Sequence, residues 1–314
     1  MPVPVPMSAV ARPSRRALRA RLDALVASHD RAAHRANDPV DAVHAFDSPA
    51  DREVAGLVAS SLAFGQVAVV RRSVGHVLGA LGGSPARAVD TLSERTLRRR
   101  LDGFVHRVYR GPQVVRMLVN AGRLRRCHGS LGEAFAAEVD AAGGDLREPL
   151  ARFADALRGP GPDRGLAHLV SDPRAGSACK RLLLYLRWMV RPADGVDLGL
   201  WPVSPSLLRM PVDTHVHRIA RNLGLTRRTT ASWGTAEEIT DALRRFDPDD
   251  PVKYDFALCH LGVSRECPSR PDPQKCARCV LRDVCTRWAG GATRPTARRV
   301  AAASRGTGAA RDRS

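Results

Sequence analysis

Residues 254–288 read YDFALCHLGVSRECPSRPDPQKCARCVLRDVCTRW, and the chain is organised around this stretch. Cys267, Cys276, Cys279 and Cys285 stand in it with the spacing C-x8-C-x2-C-x5-C. Four thiolates so close together on a basic, loop-rich segment can surround one metal centre, and four cysteines are the usual ligands of an iron–sulfur cluster. Zinc also accepts four thiolates, but its sites typically contain two matched C-x2-C pairs, whereas this stretch has one. The spacing therefore favours an iron–sulfur cluster over zinc, and either metal over four unrelated buried cysteines.

The composition of the 314-residue chain favours an all-α fold. Hydrophobic residues make up 44%, which is sufficient for a core, but aromatic residues only 4%, so Leu, Val and Ala must fill most of the interior. Strands prefer β-branched and aromatic residues, whereas Ala and Leu favour helices. Apolar residues recur at helical spacing through most of the chain, and no segment has a convincing strand pattern.

The formal net charge of +18 indicates a polyanionic partner, either nucleic acid or an anionic membrane surface. A general preference for arginine would produce the same excess. The first residues contain no long apolar run of the secretory type, and no segment approaches the roughly 20 apolar residues of a membrane span. We therefore expect a cytoplasmic protein with reduced thiols and no membrane contact.

Changes in composition divide the chain into five parts. The Pro-rich start and the basic, apolar-poor end are predicted to be disordered. An amphipathic N-terminal helix is expected to pack with the cysteine segment, and a Gly/Pro/Trp-rich connection separates two helical lobes. The predicted parts are a disordered start (1–13), the N-terminal segment (14–48), a central lobe ending in a hairpin-like segment (49–192), a second lobe with the cysteine loop (193–288) and a disordered basic tail (289–314).

Lys180 is the first candidate for chemistry. It lies in SDPRAGSACKRLLLYLRWMVRP, residues 171–192, at the predicted start of an apolar helix. The positive end of a helix and nearby apolar surface both disfavour an ammonium group, and a neutral amine is a nucleophile. The alternative is a solvated lysine beside Arg181.

Asp213 is the second candidate. It lies in PVDTHVHRIARNLGL, residues 211–225, where it is placed as a helix N-cap. His215 and His217 are two residues apart and do not share a helix face, which argues for surface or DNA-facing residues instead of a joint metal site. Gln66 follows a nearly all-apolar stretch that predicts a buried helix, and it is either a ligand contact or a solvated loop residue.

These segments together resemble the helix-hairpin-helix DNA glycosylase superfamily, specifically the endonuclease III type. Proteins of that type carry a VDTH turn with an essential aspartate, here at Asp213, and end in a C-x6-C-x2-C-x5-C cluster motif. The last three cysteines match this spacing, and the first gap is two residues longer. The family's catalytic lysine lies in a hairpin of the pattern G-x-G-x-K-T-A, and GSACKR places Lys180 at the lysine position.

The hairpin departs from the family pattern, because its second glycine and the Thr-Ala pair are missing. The separation of 33 positions from Lys180 to Asp213 is also longer than in endonuclease III and closer to that of the archaeal 8-oxoguanine glycosylase. From about residue 14 to 288 the chain also resembles a bacterial branch distantly related to these glycosylases.

The resemblance implies two helical lobes, a [4Fe-4S] cluster (alternatively zinc) on the four cysteines and double-stranded DNA as the partner of a nucleoid-associated monomer. It implies a base-excision-repair glycosylase with abasic-site (AP) lyase activity, in which Lys180 forms a Schiff base assisted by Asp213. The alternative is an iron–sulfur DNA-binding protein of the same fold without catalysis, or a zinc-bound nucleic-acid-binding protein. The expected DNA contacts are Gln66, Gly176, Arg181, His215, Arg265, Arg270, Lys275 and Arg278.

Overall fold

The computed structural model of the protein describes residues 14–289 and is mostly helical, which confirms the all-α prediction. The terminal stretches predicted to be disordered lie outside these residues, except that Ala289 ends the last helix. Within residues 14–289 no helix is long and apolar enough to cross a membrane.

We call residues 49–192 the central lobe and residues 193–288 the second lobe, as labels only. Three helices precede the central lobe: α1 (Arg15–Ser28), α2 (Arg31–Arg35) and α3 (Asp41–His44). The apolar face of α1 is buried, as its helical spacing predicts. Arg21 of α1 forms an ion pair with Asp283 of the cysteine segment, and the Tyr254 hydroxyl donates to Asp23 at 2.9 Å. The N-terminal helix therefore contacts the far end of the described chain.

The central lobe consists of α4 (Pro49–Ser61), α5 (Val67–Leu81), α6 (Pro85–Thr91), α7 (Glu94–Arg100), α8 (Gly111–His128), α9 (Leu131–Ala141), α10 (Arg147–Arg158), α11 (Arg164–Leu169) and α12 (Lys180–Val190). Between α7 and α8 the chain forms an antiparallel hairpin of β1 (Val105–His106) and β2 (Tyr109–Arg110). The sequence analysis missed this hairpin because strands of two residues are too short to show a period.

Helix α4 is buried on nearly all sides, as its apolar sequence predicts. It packs closely on α12 at Gly56, where an added Cβ would lie 2.6 Å from Met189 Cε. The Tyr185 hydroxyl of α12 donates to the Glu53 carbonyl of α4 at 2.9 Å. These two contacts fix the position of α4 relative to α12.

The second lobe contains α13 (Thr214–Asn222), α14 (Trp233–Arg244), α15 (Asp255–Val263), α16 (Pro273–Arg278) and α17 (Thr286–Ala289), with 3₁₀ turns at Pro173–Ala175, Pro205–Leu207 and Arg282–Val284. Helices α13 and α15 approach closely because residue 262 is glycine. A Cβ at Gly262 would lie 2.5 Å from the Cβ of His215.

A buried ion-pair network joins α12 to the second lobe. Arg187 of α12 pairs with Asp197 at 3.1 Å and with Asp255 at the start of α15. Arg191 pairs with Asp197 and, at 2.8 Å, with Asp250. Removing one partner of such a buried network leaves an uncompensated charge, so α12 and α15 are tied together at this point.

Candidate active site and cysteine loop

Lys180 is the first residue of α12, as predicted from its position before the apolar run. Cys179 precedes it with a left-handed backbone (φ 46°). The half-buried Lys180 ammonium donates from Nζ to the carbonyl of Ala63, just beyond the end of α4, at 3.2 Å. Within residues 14–289, Lys180 forms no ion pair with a carboxylate. Its amine is therefore held by one backbone acceptor.

Asp213 caps α13, and this confirms the N-cap prediction. Its Oδ1 accepts from the backbone amides of His215 and Val216, both at 2.8 Å. Its Oδ2 lies 3.8 Å from the Sγ of Cys259 on α15. The two carboxylate oxygens thus have different partners. Oδ1 accepts hydrogen bonds from the free backbone amides at the start of α13, and Oδ2 faces the Cys259 thiol.

The Cys259 thiol contacts Asp213 and is influenced by the charges of both candidate catalytic groups. Burial raises the pKa of Cys259 well above its ordinary value, and the charges of Asp213 and Asp255 raise it further, whereas Lys180 lowers it. The charges of Lys180 and Asp213 thus both act on the same thiol, although the two residues are 33 positions apart. They do not form an ion pair with each other in the described structure.

Aromatic and basic side chains cluster beside the carbonyl that holds Lys180. Arg181 points inward and donates to the Tyr109 hydroxyl and the His168 carbonyl. The Tyr109 hydroxyl also hydrogen-bonds with His168 Nδ1 at 2.8 Å, and Arg107 lies over the ring of Phe64, 4.7 Å from its centroid. Burial lowers the pKa values of Arg181 and His168. Arg181, expected to contact DNA, is thus engaged inside the protein.

The edge of this cluster is exposed and partly apolar. Phe64 is 38% exposed, and the hairpin residues Val105 and Val108 are 51% and 62% exposed. Gln66, one of the predicted DNA contacts, is exposed at the N-cap of α5 and forms no side-chain cap. Exposed apolar side chains grouped in this way are typical of interaction surfaces. We call Phe64, Gln66, Val105 and Val108 the hairpin edge.

The sequence analysis did not select Phe64, Tyr109, His168 or Cys259. The hairpin edge and the inward cluster carry no motif, and their members come from four separate segments. The apolar surroundings of Cys259 on α15 read as ordinary core packing, in which cysteine is common. Only the folded chain brings these residues to Lys180 and Asp213.

The four cysteines of the C-terminal segment are free thiols of intermediate exposure. Burial raises the pKa values of Cys267 and Cys279. The charges of Cys276 and Cys285 raise both of these pKa values further, and Cys267 also acts on Cys279. The thiols therefore influence one another electrostatically, but no three His, Cys, Asp or Glu side chains of residues 14–289 form a group positioned to hold a metal ion. Four cysteines on one segment are the type of donor that a four-sulfur site requires.

Arg218 connects α13 to this cysteine loop. Its guanidinium donates to Cys267 Sγ at 3.1 Å, to the Cys267 carbonyl at 2.7 Å and to the Pro268 carbonyl at 2.8 Å. Asp213 caps the same helix, α13. This short helix therefore has the candidate carboxylate at its start and, near its middle, the Arg218 side chain that binds the cysteine loop.

The predicted DNA contacts of the loop differ in their surroundings. Arg265, Arg270 and Arg278 are exposed, while Lys275 is half-buried and donates to the Arg265 carbonyl at 2.8 Å. Two further predicted contacts lie elsewhere. Gly176 is exposed and ends the 3₁₀ turn Pro173–Ala175 with a left-handed backbone (φ 78°), a conformation that glycine adopts readily. His215 is half-buried against Gly262.

A family model matches residues 38–264, which is most of the chain. The chain belongs to this family, described as a protein of unknown function (DUF2400). Lys180, Asp213 and Cys259 lie inside the matched region, and the four cysteines of the loop follow its end. Comparison with curated proteins and with solved structures gives no match.

Proposed function

We propose that the protein is a DNA glycosylase with AP lyase activity, in which Lys180 is the nucleophile and Asp213 the assisting carboxylate. The observation that carries the proposal is that Asp213 contacts the Cys259 thiol and the charge of Lys180 acts on the same thiol, despite their separation in sequence. Among residues 14–289 the amine of Lys180 has only a backbone carbonyl as hydrogen-bond partner, so no carboxylate of this part of the chain has to release it before it can react.

The reaction begins with a nucleotide turned out of the duplex, because the glycosidic carbon is not accessible inside the base stack. Lys180 attacks C1′ as the neutral amine, and the glycosidic bond breaks with its electron pair leaving on the base. Opening of the sugar ring gives a Schiff base. Loss of a 2′ proton then expels the 3′ phosphate by β-elimination. Asp213 takes the proton from Lys180 or offsets the positive charge that develops on the sugar.

Two surfaces are suited to hold DNA around this site. The hairpin edge adjoins the carbonyl that binds Lys180 and offers apolar side chains, which many proteins insert between base steps. The cysteine loop offers the exposed Arg265, Arg270 and Arg278 for phosphate contacts. A [4Fe-4S] cluster on Cys267, Cys276, Cys279 and Cys285 would have a structural role, since it would fix the loop that carries these arginines.

Borohydride trapping on DNA with an abasic site tests the nucleophile. Reduction converts a lysine Schiff base into a stable covalent adduct, so the wild-type protein is expected to be trapped and Lys180→Ala to lose trapping at least about 100-fold, in line with the loss of a covalent nucleophile. The matched control is Lys253→Ala. Lys253 forms an ion pair with Asp247 at 2.7 Å, and its loss should leave trapping unchanged.

DNA binding must be measured on the same variants. Lys180→Ala should bind abasic DNA within a few-fold of wild type, because it removes a single contact from a surface dominated by arginines. Equal trapping of wild type and Lys180→Ala contradicts the nucleophile assignment. A wild-type protein that binds DNA but is never trapped, on abasic or lesion-bearing oligonucleotides, would support the non-catalytic DNA-binding alternative.

A further inference from the structure

In the part of the chain that the structure describes, the second oxygen of Asp213 has one hydrogen-bond donor beside it, the thiol of Cys259. Oδ1 already accepts two backbone amides, whereas Oδ2 faces Sγ at 3.8 Å. A thiol is a weak hydrogen-bond donor. It can therefore orient a carboxylate oxygen while leaving it free to accept a further proton, which a stronger donor would oppose.

Asp255 lies one helical turn before Cys259, on the same face of α15. It is 2% exposed, and its Oδ1 has no hydrogen-bond partner although its Oδ2 accepts from Arg187. A buried carboxylate oxygen without a partner is costly and is found at sites with a function. Its charge acts on Cys259 and opposes loss of the thiol proton.

We propose that Cys259, backed by Asp255, is a positioning residue for Asp213: its thiol donates to Oδ2 and holds that oxygen as a charged acceptor beside Lys180. The inference rests on the proposed function for its catalytic consequence, but the thiol–carboxylate contact can be tested without any activity. The Cys259 proton is retained because the thiol is buried among carboxylates.

Charged groups from every element packed around the thiol contribute to this arrangement. They are Asp213 at the start of α13, Lys180 at the start of α12, Asp255 on α15 itself and Asp38 from the N-terminal segment. Asp38 is already occupied by His260, whose Nε2 lies 3.2 Å from its Oδ2. Among these carboxylates, Asp213 is the one whose oxygen lies within hydrogen-bonding reach of the thiol in the described structure, at 3.8 Å.

The two substitutions Cys259→Ser and Cys259→Ala separate positioning from packing. A hydroxyl donates more strongly than a thiol and stabilises the charged carboxylate, so Cys259→Ser should move the acid limb of the pH–trapping profile down by about one pH unit, a tenfold change in proton affinity. Cys259→Ala removes the donor and should move the same limb upward. Cys127→Ala, at an exposed thiol on α8, is the control and should leave the profile unchanged.

Infrared spectra of the S–H stretch provide the readout that needs no activity. The Cys259 band is isolated by subtracting the spectrum of Cys259→Ala from that of wild type, and it should lie at the lower frequency of a hydrogen-bonded thiol. Asp213→Asn, which replaces the charged acceptor, should shift the Cys259 band to higher frequency. In the Cys127→Ala variant the same band should keep its wild-type frequency.

The outcomes are distinct. Opposite shifts of the acid limb, together with a band that responds to Asp213→Asn, support the inference. A band unaffected by Asp213→Asn, or limb shifts of the same sign in both Cys259 variants, overturns it. If the wild-type protein traps no DNA, the proposed function fails, and the S–H band alone decides whether Cys259 positions Asp213.

Discussion

Glu53 lies near the start of α4, and the Ala63 carbonyl just beyond the end of the same helix accepts the hydrogen bond of Lys180. Removal of the Glu53 carboxylate should strongly destabilise the protein. The carboxylate is 4% exposed and accepts four hydrogen bonds. They come from Trp201 Nε1 at 2.7 Å, Gly132 N at 2.9 Å, Leu131 N at 3.2 Å and Arg125 Nη1 at 3.2 Å. Two of these donors are the first amides of α9, so Glu53 on α4 caps another helix from across the core.

The loss of stability caused by Glu53→Ala follows from the number of buried N–H donors that lose their acceptor. The substitution leaves three buried N–H groups without an acceptor, while Arg125 keeps Asp90 at 3.1 Å. Each buried donor left unsatisfied costs about 1–3 kcal/mol, so we expect a loss of about 4 kcal/mol or more in the free energy of unfolding. Burial raises the pKa of Glu53 in spite of these donors, which shows that the charge itself is unfavourable there. Glu53→Gln, which keeps one acceptor oxygen without the charge, should therefore lose less stability than Glu53→Ala.

Urea unfolding, followed by circular dichroism, measures the effect. The matched control is Glu94→Ala, which removes an exposed carboxylate paired with Arg98 four residues later at 2.6 Å. Such surface pairs contribute about 0.3–0.5 kcal/mol, so the control should unfold close to the wild-type midpoint. If Glu53→Ala and Glu94→Ala lost equal stability, the assignment of Glu53 as a buried anchor would be refuted.

Three further predictions concern pH, the helix cap and the cysteine loop. Burial, followed by the charges of His34 and His260, lowers the pKa of His29 from 6.5 to about 4. The unfolded chain therefore binds the proton more readily between these values, and stability present above pH 6.5 is lost as the pH falls toward 4. After solvent screening this amounts to about 1–2 kcal/mol, and His29→Gln should flatten the pH dependence of Tm. Asp213→Ala should cost about 1 kcal/mol in urea unfolding through loss of the α13 cap. If the four cysteines of the loop hold the proposed [4Fe-4S] cluster, Arg218→Met should lower the iron content and the yellow-brown absorbance of the purified protein, because it removes the guanidinium that donates to Cys267 Sγ.

Local features of the fold could be predicted from the sequence alone. The all-helical class, the start of α12 at Lys180, the cap at Asp213 and the burial of α4 depend on residues within a few positions of each other. Helical period, N-cap chemistry and apolar runs act over one or two turns. These local features can therefore be predicted before any tertiary contact is known.

The composition of the candidate site was decided by tertiary structure. Cys259 reaches Asp213 because Gly262 lets α15 lie against α13, and the buried Arg187 ties α15 to the helix of Lys180. Arg181, next to Lys180 in sequence, points inward because the Tyr109 hydroxyl and the His168 carbonyl accept hydrogen bonds from its guanidinium there. Contacts of this kind join residues dozens of positions apart, and their energies depend on burial and on the distances between charges. Neither quantity exists until the helices have packed.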